Sequence, residues 1–396
     1  MKYKNWILLI VANLFLVAFL GVLMRYKIAF SLPFLEQKHL QHAHSHFAFT
    51  AWISQALYLM LIHFLEQHIR IDVKKYNRIL IVNTILSLLM MISFIFKGYH
   101  VTSNTFSFLI ILNSLYFTWH FVKDSKQFND CRIEKKWFYA GLFFNIISTF
   151  GTFYLAYMMI NKVYHQESQL ASVYFYLHFQ YNGWFVFTCL GLMFYQLNRF
   201  IKIRSGNVLF TLFFISTFPN YFLSILWLKI PTALYVLVIL SALTQLIVWV
   251  ILSKQVYHKR SILSSIQIKF IKPILAVLYC SFSLKLILQL LSTIPVISHL
   301  AYSLRPIVIA YLHLVLLVII SLFILFYFSK YILNKGNIIA VFYFMIAVLI
   351  NELLLGVQGF AGIFTISIPY IHYYLFAISL VILISIYFLL RRINSL

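Results

Sequence analysis

Residues 39–52 read HLQHAHSHFAFTAW, placing His39, His42, His44 and His46 within one short stretch that runs straight into apolar sequence. A neutral imidazole is a good ligand for transition metals and for haem iron. On a helix, residues four apart share a face, so His42 and His46 lie together while His44 points elsewhere. His39 continues the stripe of His42 and His46. Two chemistries suit this spacing. An i, i+4 pair can chelate one metal ion, as on HExxH helices, although the glutamate of that motif is absent. Alternatively, one imidazole turns inward as an axial haem ligand and meets a second from a facing helix, clamping a low-spin haem. Further along, His178, His313 and His372 are the histidines that fall within or open long apolar runs. Glu352 and Lys285 are ionisable residues inside such runs.

The elements that must position these groups are membrane helices. The chain has 396 residues, of which 63% are hydrophobic and only 10% charged. Soluble domains carry about 25% charged residues, so the composition implies an all-α, polytopic membrane protein. It is read as a single integral membrane domain over residues 1–396. Runs long enough to cross a bilayer begin near Trp6, Ala43, Ile79, Thr105, Trp137, Ala171, Gly206, Thr232, Pro273, Ala301, Gly336 and Tyr370, which makes twelve segments. Segment one follows Lys2 and Lys4 but ends in MRYK without a small-residue cleavage site, so it is expected to remain as a helix. Cys131, Cys189 and Cys280 share no spacing, and neither a disulfide nor a cysteine metal site is expected.

The net charge of +23 reports topology and not a nucleic-acid partner. Of the 31 lysines and arginines, 23 fall in alternate connections and at the termini, seven fall in the other connections, and Lys285 lies inside segment nine. By the positive-inside rule both termini are cytoplasmic. With that orientation His42, His44, His46, His178, His313 and His372 lie in the outer leaflet together with Glu352. Ionisable groups at such depths cost about 2.5–3.5 kcal/mol on insertion scales, so a shared depth points to function. The plainer alternative is that Lys285 and Glu352 neutralise each other between segments nine and eleven.

Short stretches carry a resemblance as well. YLHFQYNGWFVFTCLGLMFY (176–195) is similar to the sixth helix of cbb-type oxidases, where a histidine precedes a Gly-aromatic-Phe run. AHSHFAF is similar to the helix-two ligand segment, and HAH resembles the HAHEM motif of the NnrS family. With histidines on segments two, six and ten, the chain resembles the catalytic subunit of the haem–copper oxidase and nitric oxide reductase superfamily, and the related NnrS family. The resemblance implies a low-spin haem b between His46 or His44 and His313. His178 matches one copper ligand of the superfamily, but Asn220 and Tyr221 stand where its paired copper histidines would be. Tyr311 stands at the position of the high-spin haem ligand, and tyrosinate can ligate haem. Copper is therefore not expected to be held in the family manner, and dioxygen reduction by the family mechanism is not implied. His178, Tyr311, Asn220, Tyr221, Glu352 and Lys285 are expected to line the neighbouring pocket.

The leading expectation is thus a haem-b protein of the bacterial inner membrane, concerned with redox or diatomic-gas chemistry. Its partners would be the lipid bilayer, NO or O2, and an electron-donor protein or quinol. The alternative, from another class, is a metal-handling protein or transporter without haem, in which His39, His42, His44 and His46 capture copper or zinc. A third is an assembly or scaffold subunit without a cofactor.

Overall fold

The computed structural model describes residues 3–128, 132–259, 270–333 and 337–395; Cys131, Arg260, Lys269 and Lys335 lie outside the described residues. Lipid offers backbone amides no hydrogen-bond partners, and a helix satisfies them within one segment. Each apolar run is accordingly helical, and no strand occurs among the described residues. Besides a short helix at Pro295–Ser303, the long helices in chain order are α1 (Tyr3–Ala29), α2 (Gln37–Glu66), α3 (Val73–Lys97), α4 (Val101–Ser125) and α5 (Ile133–Ile160). Next comes α6, made of Gln166–His178, Phe179–Phe185 and Val186–Leu197 without interruption. Then follow α7 (Gly206–Ile225), α8 (Thr232–His258), α9 (Ile271–Leu291), α10 (Arg305–Ile332), α11 (Ile338–Ile363) and α12 (Ile371–Asn394). Among the described residues eleven of these helices, and not twelve, are long and apolar enough to cross a membrane. The one that falls short is α6, because His178, Gln180 and Asn182 dilute its apolar middle; all three are buried.

Local chemistry sets the ends. The Asp72 carboxylate accepts from the amides of Lys74 and Lys75 and caps α3. His100 and Ser103 form a reciprocal capping box at the start of α4. Between them Gly98 takes φ 58°, and a Cβ there would fall 2.4 Å from His39 Nε2. Only glycine fits both demands. In α7 the missing amide of Pro219 ends α-winding, and Pro219–Ile225 continues as a 3-10 helix.

Three helices depart from α-winding in the same way. The π-helical stretches Ala48–Ser54, Phe179–Phe185 and Leu314–Ser321 lie in α2, α6 and α10, and α10 adds a further one at Phe328–Ile332. No other helix has one among the described residues. Wider winding loosens the backbone, and side chains of neighbouring helices bond to it. In α2, the carbonyls of Thr50 and Ala51 accept from Asn83 Nδ2 at 3.0 Å and Asn13 Nδ2 at 2.9 Å.

The chain divides into two compact units, one formed by Met1–Asn129 with Ser321–Leu396 and the other by Asp130–Ile320. In the first unit α2 is the core. From Phe47 onward nearly every residue is buried, and the polar set Gln55, Asn83 and Thr84 is bonded internally between α2 and α3. At the far end of the α3–α4 hairpin, Asp124 accepts from Lys75 Nζ at 2.6 Å and Tyr76 Oη at 2.8 Å. Asp124→Ala would leave a partly buried ammonium and a buried hydroxyl without their acceptor. We expect a loss on the order of 3 kcal/mol, read as a lower midpoint in thermal unfolding of the detergent-solubilised protein.

In the second unit α5 and α6 approach to backbone contact. A Cβ on Gly151 would fall 2.6 Å from the Ser172 carbonyl oxygen, and one on Gly183 would fall 2.5 Å from Phe144 Cβ. Small residues permit such approach between membrane helices. Around this seam Phe144 packs on Phe179, Phe187, Phe214 and Phe218.

Candidate functional site

The histidine stripe of α2 has two faces, as its spacing predicts. His46 stacks on Phe94 with ring centroids 4.6 Å apart, and its Nε2 lies 3.1 Å from Tyr99 Oη. The His42 ring meets the edge of Tyr99 at 4.5 Å. Burial of the Tyr99 hydroxyl holds this phenol above its usual pKa, so at neutral pH it stays protonated beside His46. His39 pairs with Glu36 at 3.3 Å.

His44 turns the other way, into the unit. Its Nδ1 lies 2.9 Å from the Val17 carbonyl oxygen of α1. A carbonyl only accepts, so Nδ1 carries the proton and Nε2 carries the lone pair. That is the tautomer and the orienting contact of metal-ligating histidines. The ring lies beside Gly21, where a Cβ would stand in ordinary contact at 3.5 Å from His44 Cε1. Arg25, one turn beyond Gly21, acts electrostatically on both His44 and Glu352. Asn351 Nδ2 donates to Glu352 Oε1 at 3.1 Å. Arg25 lies within α1, which continues to Ala29.

Glu352 and Lys285, the pair considered from sequence, each have a partner within their own unit. The cation acting on Glu352 is Arg25, in the same unit. Lys285 belongs to the other unit, where it is 1% exposed and donates to Gln289 Oε1 at 2.9 Å.

In the second unit the candidate metal ligand His178 is fully engaged. Its Nε2 lies 2.9 Å from the Thr217 carbonyl oxygen, and its Nδ1 lies 3.1 Å from Asn182 Nδ2. Nε2 must donate to the carbonyl, so Nδ1 accepts from the Asn182 amide and neither nitrogen offers a lone pair to a metal. His178, which matches a copper ligand of the superfamily by position, acts here as a polar pin between α6 and α7. Replacing it with alanine strands the Thr217 carbonyl and the Asn182 carboxamide. We expect His178→Ala to cost about 3 kcal/mol in stability with no change in bound metal, checked by thermal unfolding and elemental analysis.

Tyr221 Oη donates to the Ala171 carbonyl at 3.1 Å, and the Tyr311 ring lies 6.4 Å from Tyr181. Both atoms of the Asn220 carboxamide are buried without a hydrogen-bond partner, as is Asn182 Oδ1. His178, Asn182, Asn220, Tyr221, Lys285 and Tyr311 thus belong to one unit, and Glu352 to the other. His313 Nδ1 lies 2.9 Å from the Ile309 carbonyl oxygen of its own helix, which sets the same tautomer as in His44.

Among the described residues no group of three or more His, Cys, Asp or Glu side chains could hold a metal ion. The helix-two cluster including His42 is divided between Glu36, Tyr99, Phe94 and α1, and does not gather around one point. Compared with known proteins, the chain matches no family model and no curated sequence. Fold and site together define a multi-pass α-helical membrane protein in which α2, α6 and α10 carry π-winding beside His46, His178 and His313.

Proposed function

We propose that the chain is a haem-b-binding protein of the bacterial inner membrane, acting in redox or diatomic-gas chemistry. The observation that carries this reading is the position of the π-winding. It starts two residues after His46 in α2, directly after His178 in α6 and directly after His313 in α10. π-winding is rare and concentrates at functional sites, and here it singles out the three histidine-bearing segments of the oxidase resemblance.

Within α2 the tautomer favours His44 over His46 as an axial ligand. A bound haem b supplies one-electron transfer, with NO or O2 as gas ligand and an electron-donor protein or quinol as reductant. His178 does not fit a copper centre, so no step is assigned to copper. In this reading α6 is the twelfth span, its polar middle shielded by α5 and α7, and both termini face the cytoplasm with the basic connections.

The test is a reduced-minus-oxidised optical spectrum of the detergent-purified protein with a pyridine haemochrome assay. A b-type α band at about one haem per chain supports the proposal, and a colourless protein expressed with ample haem sinks it.

A further inference from the structure

On the outer surface of the second unit an apolar groove runs between α5 and α7, lined by Lys136, Tyr139, Ala140, Phe143, Phe210 and Phe214. Its volume, about 340 Å3, lies in the range of small-ligand clefts. Lys136 and Asn207 stand at one end, in the first turns of the two helices, and Lys136 Nζ donates to Asn207 Oδ1 at 2.9 Å. Phe143 and Phe214 lie seven residues further along, roughly 10 Å deeper at 1.5 Å per residue. Lys136 thus stands at one end of the groove, and aromatic rings line the other.

The surrounding chemistry says what fits. Lys136 is exposed, and an ammonium has three protons, of which Asn207 takes one. The connections that meet this end carry Arg132, Lys135, Arg199, Lys202 and Arg204. The hydrogen bonds Asn198 Nδ2 to Glu134 Oε1 and Arg204 N to Gln255 Oε1 hold those connections at the same end of the unit. Among the described residues of these connections and first turns, the acid Glu134 is buried and accepts from Asn198 Nδ2. Next to the groove, Val208, Leu212 and Ile215 present exposed apolar side chains, as lipid-facing positions do.

We propose that this groove is a binding site for an anionic phospholipid. One acyl chain lies along Tyr139, Phe143, Phe210 and Phe214, and the phosphate pairs with Lys136. The charge complementarity commits it to an anionic headgroup: basic clusters at the membrane surface attract acidic lipids by about 1 kcal/mol per cation. The site stands apart from the haem reading and survives its failure.

The experiment is native mass spectrometry of the detergent-purified chain mixed with equal amounts of phosphatidylglycerol and phosphatidylcholine of identical acyl composition. The wild type is expected to retain phosphatidylglycerol several-fold more than phosphatidylcholine. Lys136→Ala, a surface change that leaves the unfolding midpoint in place, brings the two to parity. Ala140→Phe fills the groove and lowers retention of both. Equal retention by the wild type overturns the proposal, and so does a preference that Lys136→Ala leaves intact, which would assign the lipid to another basic surface.

Discussion

Purified His44→Ala protein is expected to lose the reduced-minus-oxidised α band completely, while His42→Ala and His46→Ala keep it. The difference rests on which nitrogen each ring has available. His44 spends Nδ1 on the Val17 carbonyl, which fixes the lone pair on Nε2 and holds the ring against α1 beside Gly21. His46 has its Nε2 against the Tyr99 hydroxyl, and His42 packs on the edge of the same ring. Loss of the axial ligand is a loss of the cofactor and not a modest shift, so the effect is all or none. Exogenous imidazole, small enough to enter the gap left by His44→Ala, restores the band if the ring acts as a ligand and does nothing if its role is only packing. A band that survives His44→Ala and vanishes in His46→Ala would reassign the ligand to the outer face of α2.

The second large effect is structural. Gly151→Ala should lower stability by about 1–3 kcal/mol through overpacking, because the atoms that a new Cβ meets are backbone. The Ser172 carbonyl oxygen stands at 2.6 Å and the Tyr176 amide nitrogen at 2.9 Å. Neither can rotate away, so α5 and α6 must separate along the seam that also contains Gly183 and Gly191. Gly356→Ala is the control. Nothing lies within 4 Å of a Cβ there, and the gain in helix propensity leaves stability unchanged or raised by up to about 1 kcal/mol. Differential scanning fluorimetry of the two variants in one detergent separates these outcomes. Equal midpoints would mean that the α5–α6 seam is not under close contact.

Hydrophobic length made the helices legible. Each of the twelve runs read from composition is a helix, because a stretch of about 20 apolar residues in lipid has no other way to satisfy its backbone. The alternation of His42 and His46 with His44 was legible too, since spacing alone divides helical faces. What a one-dimensional reading lacked was the partner across the interface. Nothing in HLQHAHSH says that Val17 will present a carbonyl to His44, and nothing near Glu352 names Arg25, more than 300 residues earlier. His178 read as a ligand because its neighbour Asn182 is an ordinary polar residue until its amide is seen to occupy Nδ1. The polar middle of α6 was legible but was absorbed into a run of apolar letters. The stretches AFTAWIS, FQYNGWF and LVLLVIIS share no residue pattern that marks a change from α to π winding. That change is imposed by tertiary packing, such as the Asn13 and Asn83 bonds to the α2 backbone.

A π turn amounts to one residue too many in an α-helix, since its hydrogen bonds close over five residues and not four. For α2, α6 and α10 the informative edit is therefore subtraction and not replacement. Removing one residue from Ala48–Ser54, for example Thr50, lets that segment wind as α while every histidine keeps its chemistry. Because the wide turn absorbs the extra residue, its removal keeps the part of the helix bearing His42, His44 and His46 in phase with the part bearing Gln55, and what is lost is the wide turn itself. The wide turn is thus set by chain count, a variable that point mutation leaves untouched.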